Sequence, residues 1–205
     1  MIMTLGGQRS VIAFATLWLA GPALAHGFPP KVPFHDRVFD GIEEVLFSPA
    51  TLLPLIALGL LIGLYGRRVL AQLWAVLIFS QILGLALAAT TADWILPPLL
   101  GAGGLIASLA ALLPSHSVRE VQLATAATCA LAVAAALDGH GPFDTPFASL
   151  LGILVAVNLT IGAAAVLPLG TMAISSAAWL RILWRVAASW IAAALILYLA
   201  FIMSR

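Results

Sequence analysis

Residues 39–68 read FDGIEEVLFSPATLLPLIALGLLIGLYGRR, and two kinds of helix meet inside that one stretch. Before Ser48 the pattern is two-sided. Val38, Phe39, Ile42, Val45 and Leu46 recur at helical spacing, with Asp36, Arg37, Asp40, Glu43 and Glu44 on the other side. That pattern predicts a short amphipathic helix over residues 35–47, lying in the membrane interface. After Ser48-Pro49 the chain is apolar on every side as far as Gly66. Serine is a good N-cap and proline fits a first helical turn, so a second helix starts there. A helix that is hydrophobic all round must be buried in protein or in lipid.

Working outward, six apolar segments follow one another at 49–66, 69–91, 95–113, 120–138, 146–168 and 178–203. A bilayer crossing takes roughly 20 residues, and each segment meets that length once tilt and short ends are allowed. The runs are continuous rather than alternating, which favours helices over a barrel, since every backbone group must be paired in hydrocarbon. The expected fold is an all-α integral membrane protein, with a six-helix bundle over residues 48–205. The connections GRR, TADW, SHSVR, DGHGPFDT and LPLGTMAISS are short, so adjacent spans are expected as antiparallel neighbours. Gly59-xxx-Gly63, the GAGG at 101–104 and an alanine-rich fourth segment offer places for close helix approach.

Composition agrees. Of 205 residues, 63% are hydrophobic and 8% charged, against roughly 25% charged in a soluble domain. Mean hydropathy is +1.13. The net charge of +1 leaves no basic stripe for nucleic acid. The one cysteine, Cys129, lies within an apolar segment and rules out a disulfide or thiolate cluster within the chain. Residues 1–25 read as a signal peptide: Arg9, the apolar VIAFATLWLA, a Gly21-Pro22 break, and ALA before His26. Residues 26–47 then form a periplasmic segment that ends in the amphipathic helix.

Basic residues orient the bundle. Arg67-Arg68, Arg119, and Arg181 with Arg185 fall at alternate connections, which places those connections in the cytoplasm of a bacterial inner-membrane protein. Seven of the eight acidic residues, all but Glu120, then lie outside, as do His26, His35 and His140. Acidic residues do not set topology, so their gathering is a separate signal.

Two clusters could collect a cation there. Asp36/Asp40 and Asp40/Glu44 are four apart and Asp40/Glu43 three apart. Those spacings put the carboxylates on one helical face, where like charges repel. A divalent cation would neutralise them with His35 nearby, because carboxylate and imidazole suit first-row metals; a solvated face partnered by Lys31 and Arg37 is the alternative. In LDGHGPFD, Asp138 and His140 share a turn at the outer end of the fourth segment. Asn158, Thr160, Gln81 and Gln72 are the polar features of the fifth and second segments. They serve interhelical hydrogen bonding or line a polar seam. No Asp, Glu, Lys, Arg or His falls at hydrocarbon depth, which argues against a proton relay. No nucleotide loop, HExxH motif or nucleophile elbow is present, so no enzyme is expected and no cofactor is demanded.

In layout the chain resembles the HupE/UreJ family of membrane proteins. The likeness rests on GIEEVLFSPATLLPLIALGLL, Gly139-His140-Gly141 and Asn158-Leu159. It implies uptake of nickel or cobalt. The family's histidine followed, after five residues, by Asp-His reads here as Glu44 and Ala50-Thr51. Its Asn-Leu-Gly-Val-Glu reads Asn158-Leu159-Thr160-Ile161-Gly162. The expectation is a divergent permease that takes up a divalent cation through Glu44, Asp40, Asp138, His140 and His35, with a seam past Asn158, Thr160 and Gln81. The alternative is a non-catalytic subunit or assembly factor of a larger membrane complex, binding a partner protein through its outer loops.

Overall fold

The computed structural model describes residues 33–90, 94–112, 117–137, 140–175 and 177–204. The expected leader, the stretch 26–32, Asp93, His116 and Asp138 lie outside these. The described residues form seven helices and no strand: α1 (Phe34–Leu46), α2 (Pro49–Tyr65), α3 (Arg67–Ala88, with side chains described from Gln72), α4 (Leu96–Leu112), α5 (Val118–Ala136), α6 (Phe147–Ile174) and α7 (Ala178–Met203). Helices α5, α6 and α7 are long and apolar enough to cross a membrane. Helices α1 and α2 pass the same test together as one span bent by 75°. The Gln72–Ala88 stretch of α3 and the whole of α4 are apolar but shorter. Among the described residues the fold is all-helical, with several apolar helices consistent with a membrane-embedded protein.

Helices α2 to α7 fall on the six apolar segments, and two of the shifted ends have local causes. Helix α5 starts at Val118 because Ser117 and Glu120 form a capping box. The Ser117 hydroxyl accepts from the Glu120 N–H (3.2 Å) and the Glu120 carboxylate accepts from the Ser117 N–H (2.8 Å). Helix α6 does not stop at Pro168 as the segment limit predicts; it continues to Ile174. A proline inside a helix removes one backbone donor, which is tolerated where neighbouring groups compensate. Here the ring seats against Gly63 of α2, where a Cβ would collide with it.

The antiparallel-neighbour expectation fails for most adjacent pairs. The extensive packing joins α1 and α2 to α6, α3 to α5, and α4 to both α2 and α7, whereas α3 barely meets α2 and α6 barely meets α5 or α7. A short connection holds only two helix ends together. Contact along the length goes to whichever pair can approach closely, and the missing Cβ atoms decide that. A Cβ at Gly59 would lie 2.7 Å from the Ile161 carbonyl, and Gly63 faces Ala165 and Pro168, so α2 and α6 run parallel. Gly84 of α3 sits on the Ala130 carbonyl of α5. Gly103 of α4 receives Pro54, a second interior proline. Gly101 lies beside Leu199 and Gly104 beside Leu195, so α4 and α7 are antiparallel.

Helix α2 is the axis of the bundle, with Leu55, Ala57, Leu58 and Leu61 buried among all its neighbours. Helices α3 and α7 lie outside it and expose Trp74, Phe79, Ile82, Trp190 and Leu197. Between α2 and α3 stands Gly66 with φ +107°, a backbone conformation that glycine adopts without strain.

Candidate functional site

Helix α1 carries the first candidate cluster. Its apolar side is closed by α6 at a glycine-on-glycine crossing. A Cβ at Gly41 would strike the Ser149 carbonyl, and one at Gly152 would strike the Val38 carbonyl. Val45 is completely buried beyond that crossing. The opposite side carries His35, Asp36, Asp40 and Glu43, all exposed, while Glu44 is half-buried at the margin. His35 Nε2 pairs with Asp36 Oδ1 at 3.1 Å, so the imidazole's carboxylate partner is its own neighbour rather than Asp40. An exposed pair of this kind contributes little to stability.

The break after α1 is organised by Thr51 rather than by the expected serine cap. Ser48 occupies the N-cap position, but its side chain makes no capping bond. The Thr51 hydroxyl instead lies 3.1 Å from both the Val45 and Ser48 carbonyls, across the bend. Carbonyls freed where one helix stops and the next starts need such partners.

The second candidate cluster is the turn leading into α6. Its first member, Asp138, lies outside the described residues. The His140 N–H donates to the Leu137 carbonyl (2.8 Å), and ring Nδ1 lies 3.0 Å from the same oxygen. A carbonyl only accepts, so Nδ1 carries the proton in this arrangement and the neutral ring's lone pair is on Nε2. The Gly141 N–H donates to Asp144 Oδ2 (3.2 Å), and the Gly141 carbonyl accepts from the Asp144 and Thr145 N–H groups. Phe143 at the tip is fully exposed.

Both clusters occupy one end of the bundle. Helix α1 crosses α6 at its first turns, directly after the His140–Thr145 turn, and Gly141 adjoins Ala89 at the end of α3. The opposite end is basic: Arg185 donates from Nε to the Ala111 carbonyl (2.6 Å) and from its terminal nitrogen to the Leu112 carbonyl (3.1 Å), closing the C-terminus of α4. Among the described residues, no three His, Cys, Asp or Glu side chains gather closely enough to hold a metal ion. Asp40, Glu44, His35 and His140 therefore share an end of the molecule without forming such a group.

The third candidate set divides. Gln81 on α3 and Asn158 on α6 exchange two hydrogen bonds: Gln81 Nε2 donates to Asn158 Oδ1 (3.1 Å), and Asn158 Nδ2 donates to Gln81 Oε1 (3.2 Å). Asn158 Nδ2 also donates to the Leu154 carbonyl (2.7 Å). Thr160 is buried on α6, and its hydroxyl has no hydrogen-bond partner; the same holds for Thr128 on α5 and Ser149 on α6. Most buried polar groups in proteins are satisfied, so among the described residues these three are the open hydroxyl positions of the core. Cys129 is buried and free. Compared with known proteins, the chain matches no family model, no curated protein and no solved structure.

Proposed function

We infer that the chain is a divergent membrane permease of the HupE/UreJ kind, crossing the bacterial inner membrane six times and admitting a divalent cation of the nickel or cobalt type. The observation that carries this reading is the separation of charge along the bundle. Carboxylates and imidazoles stand at the end formed by α1 and the His140 turn, and arginine closes the other. By the positive-inside rule the acidic end faces the periplasm. A negative mouth concentrates cations before any of them is bound. Asp40 and His35 collect the ion, and Glu44, half-buried at the margin of α1, passes it inward. His140 presents Nε2, and Asp138 stands two residues before it in the sequence. The path continues past Asn158, Thr160 and Gln81. The helix is broken at this mouth, between α1 and α2, with the Val45 and Ser48 carbonyls held by the Thr51 hydroxyl.

The test is metal accumulation in cells expressing the chain, compared with Glu44→Gln and His140→Ala. The reading predicts nickel or cobalt above the level of empty cells, reduced in both variants. Equal accumulation in all three and in empty cells removes it. One observation favours a second reading, an integral subunit that holds a partner protein at its outer turns: Phe143 and Phe147 stand exposed beside an otherwise closed turn. A partner that copurifies with the wild-type chain and is lost with Phe143→Ser supports that reading.

A further inference from the structure

We propose that the Gln81–Asn158 pair is a latch, holding α3, which otherwise packs on α5, closed against α6 of a scaffold formed by α1, α2, α4, α5, α6 and α7. The proposal deepens the permease reading and rests on it for the cargo, but the latch itself is testable with no cargo present.

The packing defines the two parts. Helix α3 makes its one extensive packing, among the described residues, along α5, with Gly84 on the Ala130 carbonyl and against Val133, whereas α5 is itself packed on α2 and α4. Within the scaffold, α2 is fixed to α6 by Gly59 and Gly63, and to α4 by the seating of Pro54 on Gly103. Helix α4 is fixed to α7 by their antiparallel packing and by Arg185. Helices α3 and α6 are not packed along their lengths. What joins them is the reciprocal amide pair, in the middle of two apolar helices, with Gln81 only 8% exposed.

The chemistry of the pair suits a contact that is made and broken. Each amide uses one donor and its oxygen on the other, so the closed arrangement leaves no unmatched acceptor at that point. Two side chains with the same donor–acceptor pattern can equally be solvated by water or by an ion when they part. An apolar contact has no such second state. In the closed arrangement each amide oxygen already accepts a hydrogen bond from the other side chain, so neither is turned to a cation until the pair separates. The connection that would accommodate the motion is Gly66, whose surroundings are open and whose positive φ is unstrained.

The experiment uses the full chain in lipid vesicles with Cys129→Ala, so that one introduced thiol is read at a time. A thiol at Leu154→Cys, one turn before Asn158, reports the seam. A thiol at Ala57→Cys, completely buried with Ile106, Ala107 and Ala188, reports the scaffold. Rates of modification by a hydrophilic thiosulfonate are compared with and without Gln81→Leu. Hydrogen bonds of this kind in membranes correspond to roughly three- to thirtyfold in an opening equilibrium. The latch predicts a gain of about that size at Leu154→Cys, and none at Ala57→Cys. It also predicts return to the parent rate in the swapped pair Gln81→Asn with Asn158→Gln. An unchanged rate at Leu154→Cys, or equal gains at both reporters, overturns it. If the latch behaves as predicted while cells accumulate no metal, the permease reading fails and the latch stands.

Discussion

Replacing Gly41 by alanine tests the packing that holds the acidic helix to the bundle. The added Cβ would meet the Ser149 carbonyl, with the Ile153 nitrogen 3.0 Å away. Ordinary carbon–oxygen contacts lie at about 3.3–3.6 Å, so α1 and α6 must move apart by about 1 Å. The obstacle is backbone, which cannot turn aside as a rotamer would. The cost therefore belongs at the upper end of the roughly 1–3 kcal/mol found for overpacking. Alanine recovers about 1 kcal/mol of helix propensity, leaving a net loss of about 2 kcal/mol. Gly162→Ala on the neighbouring α6 is the internal control, since nothing lies within 4 Å of its Cβ position. It should gain up to about 1 kcal/mol by propensity alone. Gly152→Ala should behave like Gly41→Ala. The double variant should lose at least about 1 kcal/mol less than the two single losses added, because one separation relieves both clashes. Reversible unfolding of the reconstituted chain in mixed micelles, followed by tryptophan fluorescence, measures all four. Equal stability of Gly41→Ala and Gly162→Ala would refute the close crossing.

Thr51→Val removes the hydroxyl that bridges the bend and should cost about 1 kcal/mol; chymotrypsin cleavage after the exposed Phe47 should become faster. Ser117→Ala breaks the capping box at a cost of about 1 kcal/mol, read as faster amide exchange over residues 118–121, with α6 unaffected. Arg185→Gln should destabilise the α4–α7 pair by about 1.5–3 kcal/mol, the strength of hydrogen bonds to a charged group. Arg185→Lys should recover less than half of that, because an ammonium lacks the planar fork that reaches two successive carbonyls; the same unfolding assay checks both.

The helices were legible wherever composition alone decides them. Ser48-Pro49 marked the start of α2, and six apolar runs marked α2 to α7, because a continuous apolar run has few other fates. The glycine pair Gly59 and Gly63 was legible as a close-approach surface, but its partner on α6 was not. Spacing reveals that a notch exists, and only tertiary structure shows which ridge enters it. The course of α6 through Pro168 depended in the same way on a distant residue, Gly63. The pattern Ser117-x-x-Glu120 is present in the sequence, but the apolar run alone puts the start of α5 at residue 120, two residues late. For the site, the sequence placed Asp40, Glu44, His35 and His140 at one end, but it could not show that His35 turns to Asp36 or that Glu44 alone is half-buried. Gln81 and Asn158 were visible as two polar residues on separate helices. Their reciprocal bonding joins positions 77 residues apart, beyond the reach of any local pattern.

Helix α6 provides the direct measurement of whether the acidic end is the outer mouth. Its two ends carry the exposed positions Phe143 (100%), in the turn just before it, and Ile174 (90%); the 28-residue helix between them is about 42 Å long. With Cys129→Ala, intact cells bearing Phe143→Cys or Ile174→Cys are treated with a maleimide that cannot cross the membrane. Labelling at Phe143→Cys, with Ile174→Cys protected until the cells are opened, is the predicted result. The reverse pattern would put the carboxylates and imidazoles in the cytoplasm and contradict the account.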